Sequence, residues 1–437
     1  MALDTWRNWA GTQSAHPHRF ETPQSVSELR KIVQDAARRG LHVKAVGAGH
    51  SFTGVAVTDG VLINLDALTG IETLNLIADG AHVTVLAGTR LHDLNEMLWY
   101  RGFAMTNLGD IDAQSIAGAI STGTHGTGAG FGGLATQVVG LQIVLSDGSV
   151  ADCSPTENAE LFEAARLGLG AIGILSKITL HCVPLFSLTA VEAPESLDDT
   201  LAQLQRDREL VDHFEFYWFP HTRRTQTKRN TRRPRNTPNT PVHPVRAYVE
   251  DEILSNAVFE GVNRISTLVP SAIPRINRLT SRALGRREFT DRSYRVFASA
   301  RRVRFREMEY AIPADALEAT LTEIDNWVNR SGFTVAFPVE VRFAAADDVW
   351  LSTAHGRETA YIAVHQYHRR EHETYFDAVE QIARAVDGRP HWGKMHSRTA
   401  DDLRSTYRHF DDFLAVRDKY DPDRMFDNPY LQQVLGR

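Results

Sequence analysis

Val46-Gly47-Ala48-Gly49-His50-Ser51 is a glycine-rich turn with a histidine at its rim. Glycine permits positive φ and lets successive backbone N–H groups reach an anion such as a pyrophosphate without side-chain obstruction. A dinucleotide fingerprint would need a third glycine three positions after Gly49, opening a helix. The chain has Phe52 there. Upstream, Leu41 to Val46 reads as a short strand, and downstream Gly60 to Leu65 reads as another. The turn therefore joins strand to strand, and a Rossmann unit is excluded. Taken alone, the loop leaves two readings of His50: a ligand-facing group, or a loop ring that caps a backbone carbonyl.

Working outward, Ser25 and Glu28 are spaced as a capping box ahead of Leu29, Ile32, Val33 and Ala36, which repeat at helical spacing. Arg38-Arg39-Gly40 is a stop signal. Residues 81–88 and 140–148 read as further strands, with a helix from Leu91 to Arg101 between them. A second glycine-rich run, Ser115 to Gly128, has too many small residues to build a core element, so either a ligand fills the space beside it or the run is a flexible linker. A third block, Gly168 to Leu180, combines glycine turns with a β-branched strand.

The 437 residues exceed one comfortable core, which predicts two domains. Apolar content of 42%, charged content of 23% and a net charge of −6 describe an ordinary globular chain with no general affinity for nucleic acid. Two cysteines, Cys153 and Cys182, are too few for a disulfide scaffold or a cysteine-rich metal site, and buried thiols are expected. The start, Met1 to Trp9, lacks the apolar core of a secretory signal, and no later run approaches the roughly 20 apolar residues of a membrane span. A cytoplasmic protein without an integral membrane segment is the expectation.

Beyond Pro184 the texture changes. A helical pattern starts at Leu197, and His213 to Pro220 reads as a strand suited to a sheet facing a ligand. Arg223 to Asn236 carries seven basic residues and no acid; with prolines at 234, 238, 241 and 244 it reads as a solvated surface loop rather than a nucleic-acid arm. On the strand Phe337 to Phe343, Glu340 and Arg342 are two apart and leave one face, as do His365 and Tyr367 on Tyr361 to Tyr367. An acid and a base so held can orient a polyol, or can be a surface ion pair. His391-Trp392-Gly393-Lys394 sets a lysine beside an indole and a histidine; the alternative is a loop whose tryptophan fills the core. His391 and His396, five apart and without an acidic companion, do not form a zinc motif, and no metal is expected.

The three glycine blocks in this order, Glu340-x-Arg342, His391-Trp392-Gly393-Lys394, the opening Trp6-Arg7-Asn8-Trp9 and the ending Tyr420 to Tyr430 together resemble the vanillyl-alcohol-oxidase superfamily, and within it the sugar-lactone oxidoreductases. The resemblance implies an α+β, two-domain flavoprotein: a PCMH-type FAD-binding domain over residues 1–183, a substrate cap over 184–398, and a segment 399–437 returning to the first domain. It makes His50 the residue bonded to the 8α-methyl of FAD. It places Val46, Gly47, Ala48, Gly49, Ser51, Phe52, Ser115, Gly118, Ser121, Thr122, Gly126, Thr127, Gly128, Gly173 and Ile174 along the cofactor, with His125 open between a structural and a functional role. Glu340, Arg342 and Lys394 become the catalytic candidates, and His365, Tyr367 and His391 the substrate-binding ones. The implied activity is oxidation of the C2 hydroxyl of a sugar 1,4-lactone such as L-gulono-1,4-lactone to an ascorbate-type product, with oxygen or an electron carrier as acceptor. Alditol oxidases are a second possibility, yet they carry a small hydroxylated residue where this chain has Tyr367, which is expected to narrow the pocket against a linear polyol. A flavin- or sugar-binding protein without turnover is a third.

Overall fold

Helix Val26–Arg38 shows how local chemistry delivers the chain to the glycine turn. The Ser25 side chain accepts the Glu28 N–H, while the Glu28 carboxylate reaches back to the Gln24 N–H at 2.7 Å, one residue earlier than a strict capping box. Leu29, Val33 and Ala36 are buried, and Gly40 ends the helix at φ +63°. Strand Val43–Val46 follows at once. It pairs in parallel with Val61–Asn64, which pairs in parallel with Arg19–Glu21 on its other side, so the turn leaves the sheet at the carboxyl end of a strand as predicted. The computed structural model describes residues 5–242, 259–298 and 303–436. The opening residues 1–4 and Pro244 lie outside the described residues.

An antiparallel sheet in the order Val150–Cys153, Val138–Val144, Ile174–Pro184, Gly80–Leu86, Ile71–Ile77 completes this half, with Phe103–Ala104 paired to the end of its long strand. One core joins both sheets to helices Val26–Arg38 and Leu91–Tyr100. It also takes Phe410, Phe413, Phe426, Leu431 and Leu435 from the end of the chain, and Val349, Leu351 and Trp392 from the stretch expected to be cap. Cys153 and Cys182 are buried and free. Among the described residues no helix is long and apolar enough to cross a membrane.

The second half is an eight-stranded antiparallel sheet: Arg287–Arg292, Ser187–Ser196, Arg224–Arg233, His213–Phe219, Val339–Ala344, Thr359–Tyr367, Phe305–Pro313 and Arg389–Pro390. Strand periodicity divides its residues between two faces. Phe214, Phe216, Trp218, Val339, Val341, Phe343, Ile362, Val364, Met308 and Tyr310 pack against helices Leu317–Ser331 and Glu373–Arg384 in a second core. The residues between them point toward the first half.

The basic run is not a surface loop. Arg224–Arg233 lies inside the sheet between Ser187–Ser196 and His213–Phe219, and only the proline-rich stretch after it is irregular. Its charges are matched by acids remote in sequence: Arg229 meets Glu195 at 2.8 Å and Asp207 at 2.5 Å, and Lys228 stands 3.6 Å from Glu215. The Arg232 guanidinium lies over the rings of Phe131 and Phe186 at 4.2 and 4.4 Å.

Candidate active site

A groove enclosing about 1030 Å³ runs along the glycine turn, past Ser115, Ala117, Gly118, Ser121 and Thr122, to Gly168–Leu175. Val46, Gly47, Ala48, Gly49, His50, Ser51, Gly173 and Ile174 all line it. Ser115 caps helix Ile116–Ser121 by accepting the Gly118 N–H. A Cβ at position 47 would lie 2.2 Å from Ser115 Oγ, so a side chain there would displace the hydroxyl that caps this helix. Gly49 sits at φ +68° against the Trp6 ring. Four residues expected here are elsewhere. Gly126, Thr127 and Gly128 have left the groove: the Thr127 hydroxyl donates to Phe214 O and Gly128 N–H to Phe343 O, so this end of the run stitches the two halves together. A Cβ on Gly128 would fall 2.5 Å from Asp212 O, so the small residue serves backbone approach and not a ligand. Phe52 faces a second cavity instead.

That second cavity, about 750 Å³, meets the groove at His50 and Ser51, which line both. The His50 ring lies 5.5 Å from that of Trp9. Burial, reinforced by the charges of Lys394 and Arg90, pulls its pKa down to about 4, so the imidazole is neutral with a free lone pair near pH 7.

The far wall of the cavity is the polar face of the eight-stranded sheet. One register row reads Tyr217, Glu340, Ala363, Glu309 across four strands, the alanine leaving depth between the two carboxylates. Glu340 and Arg342 are 5% and 8% exposed, which rules out a surface pair, and they bond to each other directly. Arg342 Nε also donates to Glu215 at 3.0 Å, and its guanidinium lies 3.5 Å from Asp110. Tyr217 donates its hydroxyl to Glu340 at 3.1 Å. Burial opposes the charge of Arg342, but Glu340, Asp110 and Glu215 overcome it and raise its pKa well above the usual value.

Lys394 is paired with Glu307 and sits 5.4 Å from the centre of the Phe52 ring. Burial disfavours both charges. Lys394 and His365 nevertheless hold Glu307 at about 2, and Glu307 with Glu309 keep the Lys394 ammonium above its ordinary pKa. His365 faces Glu307 with Nε2 at 3.4 Å and Pro338 O with Nδ1 at 3.3 Å. His125 repeats the pattern with Glu309 at 2.9 Å and Gly126 O at 2.8 Å, and stacks on Tyr361. Ligand-type atoms of His125, Glu309 and His391 lie within 4.8 Å of one another, a spacing a metal ion could use. The Nδ1 of His391, however, accepts the Gly393 N–H at 3.0 Å, and burial pulls that ring to about 4 against the influence of Glu309. Neutral His391 therefore carries its hydrogen on the other nitrogen, and the cluster is wired as a hydrogen-bonding group.

Tyr367 is not brought to the cavity. Its ring packs with Phe52, Phe305 and Phe337 and its hydroxyl donates to Glu260 at 2.6 Å, so it does not narrow the pocket. Four acids on or behind this wall were not anticipated: Glu307, Glu309, Asp110 and Glu215. The first two had a signal, acids alternating with Met308, Tyr310 and Ile312 on an otherwise buried strand. Asp110, in a loop, had none.

Residues 178–434 match the family described as D-arabinono-1,4-lactone oxidase, and residues 17–154 the family described as FAD binding domain. The chain is 42% identical over 99% of both lengths to an L-gulono-1,4-lactone dehydrogenase of Mycobacterium tuberculosis, and 34% identical over 98% of both to an L-gulonolactone oxidase of Bos taurus. Among solved structures, one titled solvent-stable cholesterol oxidase superposes with a TM-score of 0.82 over 99% of this chain and 97% of that one, at 18% identity, a likeness of fold.

Proposed function

The chain belongs to the D-arabinono-1,4-lactone oxidase family, and from that premise we propose that it oxidises the C2 hydroxyl of a sugar 1,4-lactone of the L-gulono-1,4-lactone type to an ascorbate-type product. FAD is its cofactor, and the groove fits it: a glycine turn at Gly47 and Gly49 that leaves the backbone open to a ligand, small residues along the walls, and His50 at the junction with the cavity. The observation that carries the reading is this junction, which sets a cofactor groove end to end with a cavity holding one lysine and a buried arginine–glutamate pair.

In this reading His50 is the site of covalent attachment. Bound FAD would supply the hydride acceptor, at N5, and the proton of the C2 hydroxyl would leave to a base or to water. Lys394, whose ammonium is kept charged, stabilises negative charge developing on the C2 oxygen. Glu340 and Arg342 fix the lactone hydroxyls, the carboxylate accepting and the guanidinium donating, with His365 and His391 beside them. Oxygen or an electron carrier would be the onward acceptor.

An alditol substrate keeps a place because Tyr367 stands off the cavity, which removes the steric argument against a linear polyol. Anaerobic mixing of the holoprotein with L-gulono-1,4-lactone or xylitol, followed by flavin absorbance, separates the readings. Fast bleaching by the lactone and slow or no bleaching by xylitol is expected. The reverse order makes the protein an alditol oxidase, and flavin left oxidised by both makes it a binding protein.

A further inference from the structure

The cavity wall carries more carboxylates than fixed cations. Asp110, Glu307, Glu309 and Glu340 line it, and Glu215 stands directly behind Arg342. Against these five are two lysines and one arginine, and each is already engaged. Arg342 is shared among Glu340, Glu215 and Asp110; Lys394 is taken by Glu307; Lys228, the cross-strand partner of Glu215 on the same face of the sheet, approaches it at 3.6 Å while donating to Val296 O at 2.9 Å. His125 and His365 change nothing for a ligand. Each has one ring nitrogen on a backbone carbonyl and the other on a carboxylate, so neither ring offers a ligand an unengaged nitrogen.

A ligand carboxylate entering such a space finds no cation without a partner among the described residues. It would lie beside buried acids, or displace one of them from Arg342 or Lys394, and either course is costly. Uncharged hydroxyls meet no such barrier, because carboxylates accept from them and the cations donate to them. A sugar lactone and its ring-opened aldonate share one carbon skeleton and differ by one hydroxide ion, a water added and a proton lost, and so by one negative charge. We propose that the cavity selects the closed lactone against the aldonate by charge, and that Asp110 and Glu215, by saturating Arg342, are the residues that determine this specificity. The identity of the lactone rests on the proposed function; the rejection of the acid rests on the wall itself.

The test uses holoprotein with its flavin chemically reduced beforehand, so that neither ligand turns over, and measures binding of L-gulono-1,4-lactone and of L-gulonate by anaerobic calorimetry. In the unaltered protein the aldonate should bind about a hundredfold more weakly than the lactone. Asp110→Asn keeps the side-chain shape and releases part of the Arg342 charge, so the ratio should fall roughly tenfold by a gain for the aldonate rather than a loss for the lactone. Glu215→Gln should move the ratio the same way and stands in if Asp110→Asn loses its flavin. An aldonate binding within tenfold of the lactone in the unaltered protein, or a ratio unmoved in both variants, overturns the proposal. If the lactone itself does not bind, the lactone oxidase reading falls instead, and the two failures remain distinct.

Discussion

Lys394 is the residue on which the chemistry of the cavity concentrates. Its ammonium is kept charged by Glu307 and Glu309 despite burial, and it lies on the cavity side of the His391–Lys394 turn. Lys394→Met retains most of the side-chain volume and deletes the cation. Flavin should stay bound, while its anaerobic reduction by lactone should slow on the order of a hundredfold, the usual size of one lost transition-state contact in a dry site. A variant reduced as fast as the unaltered protein would place the lysine outside the mechanism. His50 makes the other residue-scale case. Its lone pair is available because burial keeps the ring neutral down to about pH 4. His50→Ala should fold and bind FAD through the remaining turn, but acid precipitation should release the flavin that stays with the unaltered chain. Colour already lost to the supernatant from the unaltered protein would remove the covalent bond.

Strands and turns decide how much of this was legible beforehand. Period-two spacing correctly put Glu340 and Arg342 on one face, because a strand with three core residues on its other side has no freedom to turn. The glycine turn was legible for a related reason: a side chain at position 47 would push aside the Ser115 hydroxyl, and Gly49 holds a positive φ, so the sequence records the constraint. Reading failed where the partner of a residue lies far along the chain. The basic run became an interior strand because Glu195, Asp207 and Glu215 neutralise it, and no local pattern displays them. Gly126 to Gly128 were assigned to the cofactor since smallness alone does not say whether a ligand or another backbone comes close; here Asp212 and Phe343 do. Tyr367 shares its face with His365, yet lies one repeat farther along, where Phe305 and Glu260 claim it.

Across the whole molecule, the beginning, middle and end of the chain meet at a single buried amine. Lys44, on the strand that feeds the glycine turn, donates to Gly170 O at 2.9 Å and to Phe426 O at 3.1 Å, joining the groove to the closing segment of the protein. Burial, with Arg417 nearby, pulls its pKa down to about 7, against the opposing pull of Asp427 and Asp421. In the unfolded chain the same amine titrates near 10.4. Between these values the unfolded state binds the extra proton, so the Lys44 contribution to stability rises with pH from about 7 to about 10 and is least favourable below 7, where both states are protonated. Lys44→Met removes that dependence along with the two hydrogen bonds. Unfolding midpoints of both proteins, measured at pH 6, 8 and 9.5, should therefore diverge, the unaltered protein gaining on the variant as pH rises. Taking the difference cancels every other titrating group that the two share. A difference that stays flat across this range would mean that the amine keeps an ordinary pKa in the folded protein, and that the clasp between groove and closing segment holds a charge at every pH tested.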